Sequence, residues 1–451
     1  MLLNFTDLTL TSKGELYRTL YAYIKSSIEQ GLIKKGEKLP SVREAASQLS
    51  VSRTTVENAY MRLCIEGYVE SIPQKGYYII GTPIAINILQ KENTAKPFVA
   101  EFDFSSRRID EKASDTNLWK KLMRSVLWDS GELVSYGDPQ GELKLREALA
   151  NYTYKARGVI TTADNIIVGA GIGPLLNILC GLLGRDITVG FENNGFFEAE
   201  RIFKDYGIPL CRLKSDSQGA TESAIKKVDP NILFLLPWAL SKISPAALSS
   251  RRNFFSNWAN EKENRLIIED DYNGELRYTA RSVPAFQCKN PQNTVYIGSF
   301  SKLLLPSVRI AYMVLPDFLM KKFKNLIKPY NQTCGKIEQL TLEKYIVTGA
   351  LEKHLNRLRR LYNSKSKTLF KALEEKLDNF KSATLFESSI TAEIKTNLQI
   401  ESQKLCEIAR KNGVVIIESS EIGSFRLCFA GIDTAQIGNA IEKLNKIFGN
   451  L

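Results

Sequence analysis

Short apolar runs recur across the middle of the chain and alternate with longer stretches of helical character. The runs span residues 166–168, 187–192, 231–237, 265–270 and 293–298. Because strands that alternate with helices pair as parallel neighbours, this alternation predicts an α/β domain with a mainly parallel sheet. A chain of 451 residues is long enough to hold further domains beside it.

Composition narrows the class of protein. The chain is 44% apolar and 24% charged, as ordinary soluble globular proteins are. The longest apolar run, around residues 175–183, is too short to cross a bilayer, and the N-terminus lacks a signal-peptide pattern. Seven scattered cysteines without a Cys-x-x-Cys pair predict reduced thiols in a cytoplasmic protein. A single histidine, His354, argues against histidine-based metal sites and catalytic triads.

The last apolar run leads to a lysine. Ser299, Ser301 and Lys302 follow it, and Arg309 lies seven residues beyond the lysine. Burial at a strand end lowers the pKa of a lysine and makes its amine a nucleophile towards aldehydes. Because hydroxyls and a guanidinium suit a phosphate, these residues predict a site for a phosphorylated aldehyde, pyridoxal 5'-phosphate (PLP). On this stretch alone, an interior lysine without a ligand is an equal alternative.

The run at residues 265–270 ends in acids followed by Tyr272. Carboxylates at the end of an apolar strand are costly unless they meet a positive partner. The protonated pyridine nitrogen of PLP is such a partner for Asp270, and Tyr272 could hydrogen-bond the phenolic oxygen of the ring. A solvated loop with two acids is the alternative. The glycine-rich turn at residues 169–173 suits a phosphate, although such turns are as often free of ligands.

The first 80 residues have a different pattern. The predicted elements are helices over residues 16–31, 42–49 and 53–66 and strands over residues 68–72 and 77–80. Ser41 and Glu44 form a capping box for the second helix, Ser52 caps the third helix and Gly67 ends it. Two short helices with a tight turn between them, followed by a two-stranded wing, predict a DNA-binding winged helix-turn-helix.

The third helix would enter the major groove. The predicted DNA-contacting residues are Arg43, Ser52, Arg53, Thr54, Thr55, Lys75 and Gly76. Arg53 can pair with a guanine edge, Arg43, Ser52 and Thr55 would lie beside phosphates, and Lys75 and Gly76 form the wing near the minor groove. Residues 1–80 carry only two of the twelve net positive charges, so the prediction depends on the motif rather than on basicity. A three-helix core without a partner is the alternative.

The head resembles the winged-helix domain of GntR-family regulators. The resemblance is carried by Leu-Pro-Ser-Val-Arg at residues 39–43, Ser-Arg-Thr-Thr at 52–55 and Glu-Gly-Tyr at 66–68. It implies that Arg43, Arg53 and Gly76 occupy DNA-contacting positions. A polar, non-periodic segment around residues 90–97 is typical of a linker. We therefore predict a DNA-binding domain over residues 1–81, a linker over 82–101 and an effector domain over 102–451.

The larger domain resembles the fold-type I aminotransferases. The motifs are Tyr-Gly-Asp-Pro-Gln-Gly at residues 136–141, the glycine turn, Glu-Asp-Asp-Tyr at 269–272, Ser-Phe-Ser-Lys at 299–302, and Pro306 with Arg309. Joined to a GntR head, the chain is similar to the MocR-type regulators. This resemblance implies that Lys302 bonds covalently to PLP, Asp270 faces the ring nitrogen and Tyr272 meets the ring hydroxyl. It places the phosphate on Ala170, Gly171, Ser299, Ser301 and Arg309.

The resemblance also implies two further contacts and shows two departures. Phe196 would stack on the ring, and Arg426 would grip the carboxylate of a substrate or effector, with a surface arginine as the alternative. The segment at residues 238–244 lacks the family's His-Gln-x-Pro-Thr-Gly pattern. Glu198 stands where a second arginine is expected, which predicts that a ligand with two acidic groups is disfavoured.

These patterns together predict a PLP-binding transcription regulator that acts as a homodimer on repeated or palindromic operator DNA. Its effector would be a PLP vitamer or an amino acid, and its targets would be genes of vitamin B6 or amino-acid metabolism. The protein is not expected to be an enzyme, and a residual aminotransferase half-reaction is the alternative. One rival is a working aminotransferase with a fused DNA-binding head. Another is a regulator that has lost PLP and senses a different ligand.

Overall fold

A computed structural model describes residues 16–81, 98–105, 109–128, 131, 133–192, 197–216, 219–237, 245–278, 284–326, 331–386, 390–449 and 451. The chain divides into two compact units, Met1–Phe98 and Val99–Leu451.

The first unit has three helices and a hairpin among its described residues. They are α1 (Leu16–Glu29), α2 (Val42–Leu49), α3 (Arg53–Ile65), β1 (Val69–Ile72) and β2 (Gly76–Ile79). The side chain of Ser41 accepts the amide of Glu44 and the Glu44 carboxylate accepts the amide of Ser41, as a capping box requires. Ser52 caps α3, and Gly67 follows it with a φ of 78°, in the region that favours glycine. The predicted winged helix-turn-helix is confirmed.

A buried tyrosine links the third helix to the Leu-Pro-Ser motif. Tyr60 lies in the core of the first unit, and its hydroxyl donates to the carbonyl of Pro40 at 3.1 Å. The neighbouring Leu39 is also buried, and its amide donates to the carbonyl of Tyr77 in β2. The motif at residues 39–43 therefore joins α3 to the wing.

The second unit contains the larger set of elements. Its helices are α4 (Thr116–Trp128), α5 (Leu143–Arg157), α6 (Ile172–Leu183), α7 (Phe197–Asp205), α8 (Glu222–Val228), α9 (Pro245–Asn260), α10 (Asp317–Leu326), α11 (Lys336–Val347), α12 (Ala350–Lys376), α13 (Ser402–Lys411) and α14 (Ile437–Phe448). Its strands are β3 (Phe102–Asp103), β4 (Ile166–Gly169), β5 (Val189–Glu192), β6 (Leu210–Leu213), β7 (Ser215–Asp216), β8 (Gly219–Ala220), β9 (Ile232–Leu235), β10 (Leu266–Asp270), β11 (Thr294–Ser299), β12 (Ala311–Val314), β13 (Phe380–Leu385), β14 (Thr391–Thr396), β15 (Val414–Val415), β16 (Ile417–Glu418) and β17 (Ser424–Cys428).

The central sheet has the strand order β4-β12-β11-β10-β9-β5-β6 in the described chain. Strand β12 runs antiparallel to both neighbours, and the other pairs are parallel, so the mainly parallel sheet is confirmed. Ile268 and Ile297 pack on the face covered by α6 and α7, whereas Tyr296 packs on the opposite face with the side chains of α5. Successive residues at the ends of β10 and β11 therefore point to opposite sides of the sheet.

A second, antiparallel sheet has the order β13-β14-β17-β16 and carries Arg426. Across the described ranges, no helix is both long and apolar enough to span a membrane.

Candidate functional site

Lys302 lies three residues beyond the end of β11 and is only 5% exposed. Burial lowers the pKa of its ammonium group. The hydroxyl of Ser299 donates to that of Ser301 at 3.1 Å, and the Ser301 amide donates back to Ser299 at 3.3 Å. The turn that carries the lysine is thus held by the two serines predicted beside it, and a lowered pKa leaves more of the nucleophilic neutral amine.

Three consecutive acids, Glu269, Asp270 and Asp271, lie at the end of β10, and the first and third have strong partners in the protein. Glu269 accepts the backbone amides of Phe286 and Gln287 at 2.6 and 2.9 Å. Asp271 forms a buried two-point ion pair with Arg157, with N–O distances of 2.6 and 3.1 Å. Both carboxylates are therefore explained by the protein's own structure.

Asp270 differs from these neighbours. It is buried and accepts a hydrogen bond from the backbone of Tyr272, but no lysine or arginine lies within ion-pair distance of it among the described residues. Burial, and then the charges of Asp271 and Glu198, raise the pKa of its carboxyl to about 8. A buried acid without a cation is costly, so this carboxylate is suited to a positively charged ligand atom.

The turn after β4 brings a cation against the backbone. Gly171 precedes α6 with a φ of 94°, and a Cβ on it would lie 2.6 Å from Nη2 of Arg309. The backbone conformation therefore favours glycine at this position, and the tip of the flexible Arg309 side chain lies against it. Arg309 is exposed, has a φ of 52°, and has no hydrogen-bond or ion-pair partner within the described segments. With the uncapped first turn of α6, it places positive charge at a corner that would suit an anion.

The backbone donors predicted for the phosphate already have acceptors. The Ala170 amide donates to Oγ1 of Thr333 at 3.0 Å, and the Gly171 amide donates to the carbonyl of Gly169 at 2.8 Å. Thr333 was not predicted from the sequence, because it lies 163 residues from Ala170 and belongs to no local motif. Ala170 and Gly171 as phosphate contacts stay predictions.

Electrostatic interactions link Tyr272 and Lys302, two of the predicted residues, to a shared neighbour, Cys428. Burial raises the pKa of Tyr272, and Cys428, Asp270 and Arg309 also contribute to it. Lys302 and Cys428 each influence the pKa of the other. Cys428 was missed by the sequence reading, although its position on β17 two residues after Arg426 places both on one face of the strand.

Arg426 lies on β17, and its side chain is 25% exposed. It faces Glu393 on β14, with 3.7 Å between Nε and Oε1, and its guanidinium lies 5.7 Å from the ring centre of Phe386. The predicted carboxylate anchor is therefore partly buried and already has an anionic neighbour. Its role towards an effector stays a prediction.

Of the two departures from the family pattern, the structure describes Glu198 but not the segment at residues 238–244. Glu198 lies in the first turn of α7, and its Oε1 would be 3.3 Å from a Cβ on Gly173. The carboxylate thus adds negative charge beside the start of α6 and beside Asp270. Phe196, predicted to stack on the ring, and the segment at residues 238–244 lie outside the described residues.

The predicted DNA-contacting residues share the surface of the first unit. Arg43, Arg53, Thr54 and Lys75 are exposed, and the structure describes no ion pair for the three cations in residues 16–81. Ser52 and Thr55 hydrogen-bond each other through their hydroxyls at 2.8 Å, so both contribute to the start of α3.

The wing carries a cation that sequence reasoning missed. Gly76 has a φ of 109°, and a Cβ on it would lie 2.9 Å from Cε of Lys38. Lys38 pairs with Tyr78 across an isolated bridge and places its ammonium 5.8 Å from the tyrosine ring centre. Lys38 and Lys75 therefore both add positive charge at the wing.

Two known families match this chain, one within each of its two units. Residues 16–79 match the family of bacterial regulatory proteins named gntR, and residues 256–444 match aminotransferase class I and II.

Several regulators are similar to almost the whole chain. The HTH-type transcriptional regulator YdeL of Bacillus subtilis is 35% identical over 95% of this chain and 96% of its own. The pyridoxine biosynthesis regulator PdxR of Corynebacterium glutamicum is 28% identical over 75% of this chain and 74% of its own. A Rhizobium meliloti protein named "Probable rhizopine catabolism regulatory protein MocR" is 25% identical over 96% of this chain and 94% of its own.

A solved structure shares the fold of the second unit. Kynurenine aminotransferase of Pyrococcus horikoshii superposes with a TM-score of 0.68 at 22% identity, covering 78% of this chain and 91% of that chain. The aminotransferase fold is therefore confirmed.

Proposed function

Because the chain belongs to the MocR-type subfamily of GntR-family transcription regulators, we propose that its aminotransferase-like unit binds PLP and controls DNA binding by the head. The observation that carries this proposal is Asp270, a buried acid at the end of β10 that accepts a backbone hydrogen bond from Tyr272 but has no lysine or arginine within ion-pair distance in the described structure.

The site residues fit PLP. Lys302 supplies a buried amine of lowered pKa, Asp270 supplies an anion for the ring nitrogen, and Arg309 with the first turn of α6 supplies positive charge for the phosphate. The charges of Asp270 and Arg309 both act on the pKa of Tyr272, which supports including it in this site. When bound, PLP would supply an aldehyde carbon that reacts with amines and a ring that withdraws electrons.

The residues of the chain would fix the orientation of the cofactor. Asp270 would keep a proton on the ring nitrogen, and burial would exclude water from Lys302. Ser299 and Ser301 hold the turn that carries the lysine.

The proposed effector is a PLP vitamer or an amino acid. The name of PdxR links one similar regulator to pyridoxine biosynthesis, which supports genes of vitamin B6 or amino-acid metabolism as targets. Arg426 would anchor a carboxylate, and the negative charge of Glu198 would disfavour a second acidic group on the ligand. We place the protein in the cytoplasm with its DNA.

A working aminotransferase is the second candidate, favoured by the retention of Lys302, Asp270 and Arg426 in one unit. The departures at residues 238–244 and at Glu198 argue against it. Turnover of common amino acids by the purified protein would favour this candidate.

An exposed apolar segment supports a homodimer. Trp128 and Val134 are 92% and 88% exposed, and Leu127 and Tyr136 are also exposed. Large apolar side chains clustered at the surface mark protein interfaces. We propose that these four side chains, Leu127, Trp128, Val134 and Tyr136, contribute to contact with a second copy.

Visible absorption of the purified protein tests cofactor binding. Wild-type protein incubated with PLP should be yellow, and Lys302→Ala should lose the absorption band while its circular dichroism stays unchanged. Lys322→Ala, at an exposed lysine of α10, is the matched control and should keep the band. A wild-type protein that stays colourless after incubation and dialysis would refute PLP binding.

A further inference from the structure

The antiparallel sheet of the second unit contains a cross-strand ion pair at the proposed effector anchor. Glu393 of β14 and Arg426 of β17 stand directly opposite each other in the strand register. Side chains in such positions share one face of the sheet. Their side chains are 16% and 25% exposed, so solvent screens the pair only in part.

The pair leaves the arginine with spare hydrogen-bonding capacity. The 3.7 Å between Nε of Arg426 and Oε1 of Glu393 is too long for a hydrogen bond, which requires about 2.7–3.2 Å. The Nε atom is buried and has no acceptor among the described residues. An unpaired buried donor costs free energy until an acceptor reaches it. The charge of Arg426 is therefore balanced by Glu393 while its Nε lacks an acceptor in the described structure, as suits an anchor that receives an anion.

The acid has a hydrogen bond of its own. The hydroxyl of Ser419, a buried residue after β16, donates to Oε1 of Glu393. Ser419 is in turn held through its amide, which donates to the hydroxyl of Ser402 at 2.8 Å. Glu393 therefore keeps a partner whether or not it contacts Arg426, and its charge remains beside the anchor when a ligand arrives.

We infer that Glu393 is an internal competitor for Arg426, which an effector carboxylate must displace or tolerate, and that it thereby sets the affinity of the effector site. This inference depends on the proposed function, in which Arg426 binds the carboxylate. A ligand carboxylate on the guanidinium would meet a like charge a few ångström away, and this repulsion lowers affinity for carboxylates without affecting neutral ligand groups.

Pairs of ligands that differ only in carrying a carboxylate or a carboxamide test the contribution of the carboxylate to binding. PLP-loaded full-length protein would be titrated by calorimetry with L-alanine, L-lysine and 4-aminobutanoate, each beside its carboxamide. Glu393→Gln keeps the size of the side chain and an acceptor for Ser419 but removes the charge. It should tighten binding of the carboxylates by about tenfold, because a unit charge this close acts strongly at the effective dielectric of a partly buried site. Binding of the carboxamides should not change.

The control variants separate this effect from a general change in charge. Glu421→Gln removes an equal charge from the neighbouring ion pair with Lys395 and should leave every affinity unchanged. Arg426→Gln should abolish the difference between carboxylates and carboxamides. Should Glu393→Gln fail to fold, Glu393→Asp, which retracts the carboxylate by one methylene, should tighten binding by a smaller factor.

The outcomes distinguish the inference from the proposed function. Carboxylate binding that is unchanged or weaker in Glu393→Gln, with Arg426→Gln still losing carboxylate preference, would overturn the inference and leave the anchor in place. Equal binding of carboxylates and carboxamides by wild type, or binding of none of the probes, would overturn the anchor and the inference together.

Discussion

Burial of the Asp270 carboxyl lowers the stability of the folded protein at pH values where the carboxyl would ionise in the unfolded chain. Because its pKa is raised to about 8, the folded chain keeps a proton that the unfolded chain releases near its ordinary pKa. Stability contributed by this group is therefore lost as pH rises from about 4 to about 8. A residue that destabilises the empty protein but suits a cationic ligand is typical of a binding site.

Asp270→Asn should therefore stabilise the cofactor-free protein at alkaline pH and weaken its hold on PLP. We expect a gain of about 1–3 kcal/mol in the free energy of unfolding at pH 9 and little change near pH 4, because only the ionised acid is costly when buried. Urea denaturation at both pH values measures the gain. The exposed Asp186→Asn is the control and should show no gain at either pH. A loss of stability at pH 9 would show that the ionised Asp270 has a stabilising cationic partner in the protein.

Local sequence patterns predict buried positions for Lys302 and Asp270, since one lies shortly after an apolar run and the other ends one, and the structure buries both. The sequence could not show why Asp270 differs from Glu269 and Asp271. That distinction depends on amides 17 and 18 residues away and on Arg157, 114 residues away. Glu393, Thr333 and Cys428 escaped prediction for the same reason, because strand register and long-range packing bring them to the site.

At the scale of elements, the helices of the head could be predicted closely because their ends depend on adjacent residues. The capping box, the Ser52 cap and the glycine after α3 are all found where the sequence places them. Strand ends were less accurate: β2 begins at Gly76 rather than Tyr77, because ladder partners on β1 determine where pairing starts.

The exposed start of α3 predicts two kinds of DNA contact. Arg53→Ala should cost about 1–3 kcal/mol on a specific site and relax base preference there, because a guanidinium reads a guanine edge. Lys75→Ala should weaken binding to all sequences and reduce the salt dependence, as the loss of a phosphate contact does. Fluorescence anisotropy on DNA selected from random sequences by the wild type, and on random DNA, measures both effects.

Thr221→Ala, which changes a helix cap of the second unit, controls for handling of the variants and should leave both affinities unchanged. If both head variants lost affinity equally on selected and on random DNA, α3 would not be the helix that reads bases.

At the scale of the whole molecule, the chain joins a winged helix-turn-helix unit to an α/β unit. The two can be told apart in the sequence because their patterns of apolar residues differ. Helix caps and a wing fill residues 16–79, and alternating strands and helices follow from residue 166. The predicted homodimer could not be assigned a contact surface in this way, because an exposed apolar residue becomes visible only when the fold shows which side chains stay uncovered.

The exposed apolar side chains of Leu127, Trp128, Val134 and Tyr136 predict a dimer that a charge placed among them disrupts. Trp128→Asp should shift the protein to a monomer, because burying an unpaired carboxylate in an apolar contact is costly. Sedimentation velocity measures the shift. Tyr154→Asp, at another exposed aromatic residue on α5, is the control and should leave the mass unchanged. A wild type that sediments as a monomer would remove the dimer from the proposal.

The regulatory role requires that ligand binding in one unit changes DNA affinity in the other. A ligand shifts that affinity only through its differential affinity for the two states of the protein, and coupling of about 1–3 kcal/mol is usual. The decisive measurement is the dissociation constant for the selected DNA, with the protein cofactor-free and then loaded with PLP, for wild type and Lys302→Ala. We expect a change of about 5- to 150-fold in wild type and none in Lys302→Ala. Equal constants for loaded and cofactor-free wild type, with PLP shown to be bound by its absorption, would contradict a PLP-responsive regulator.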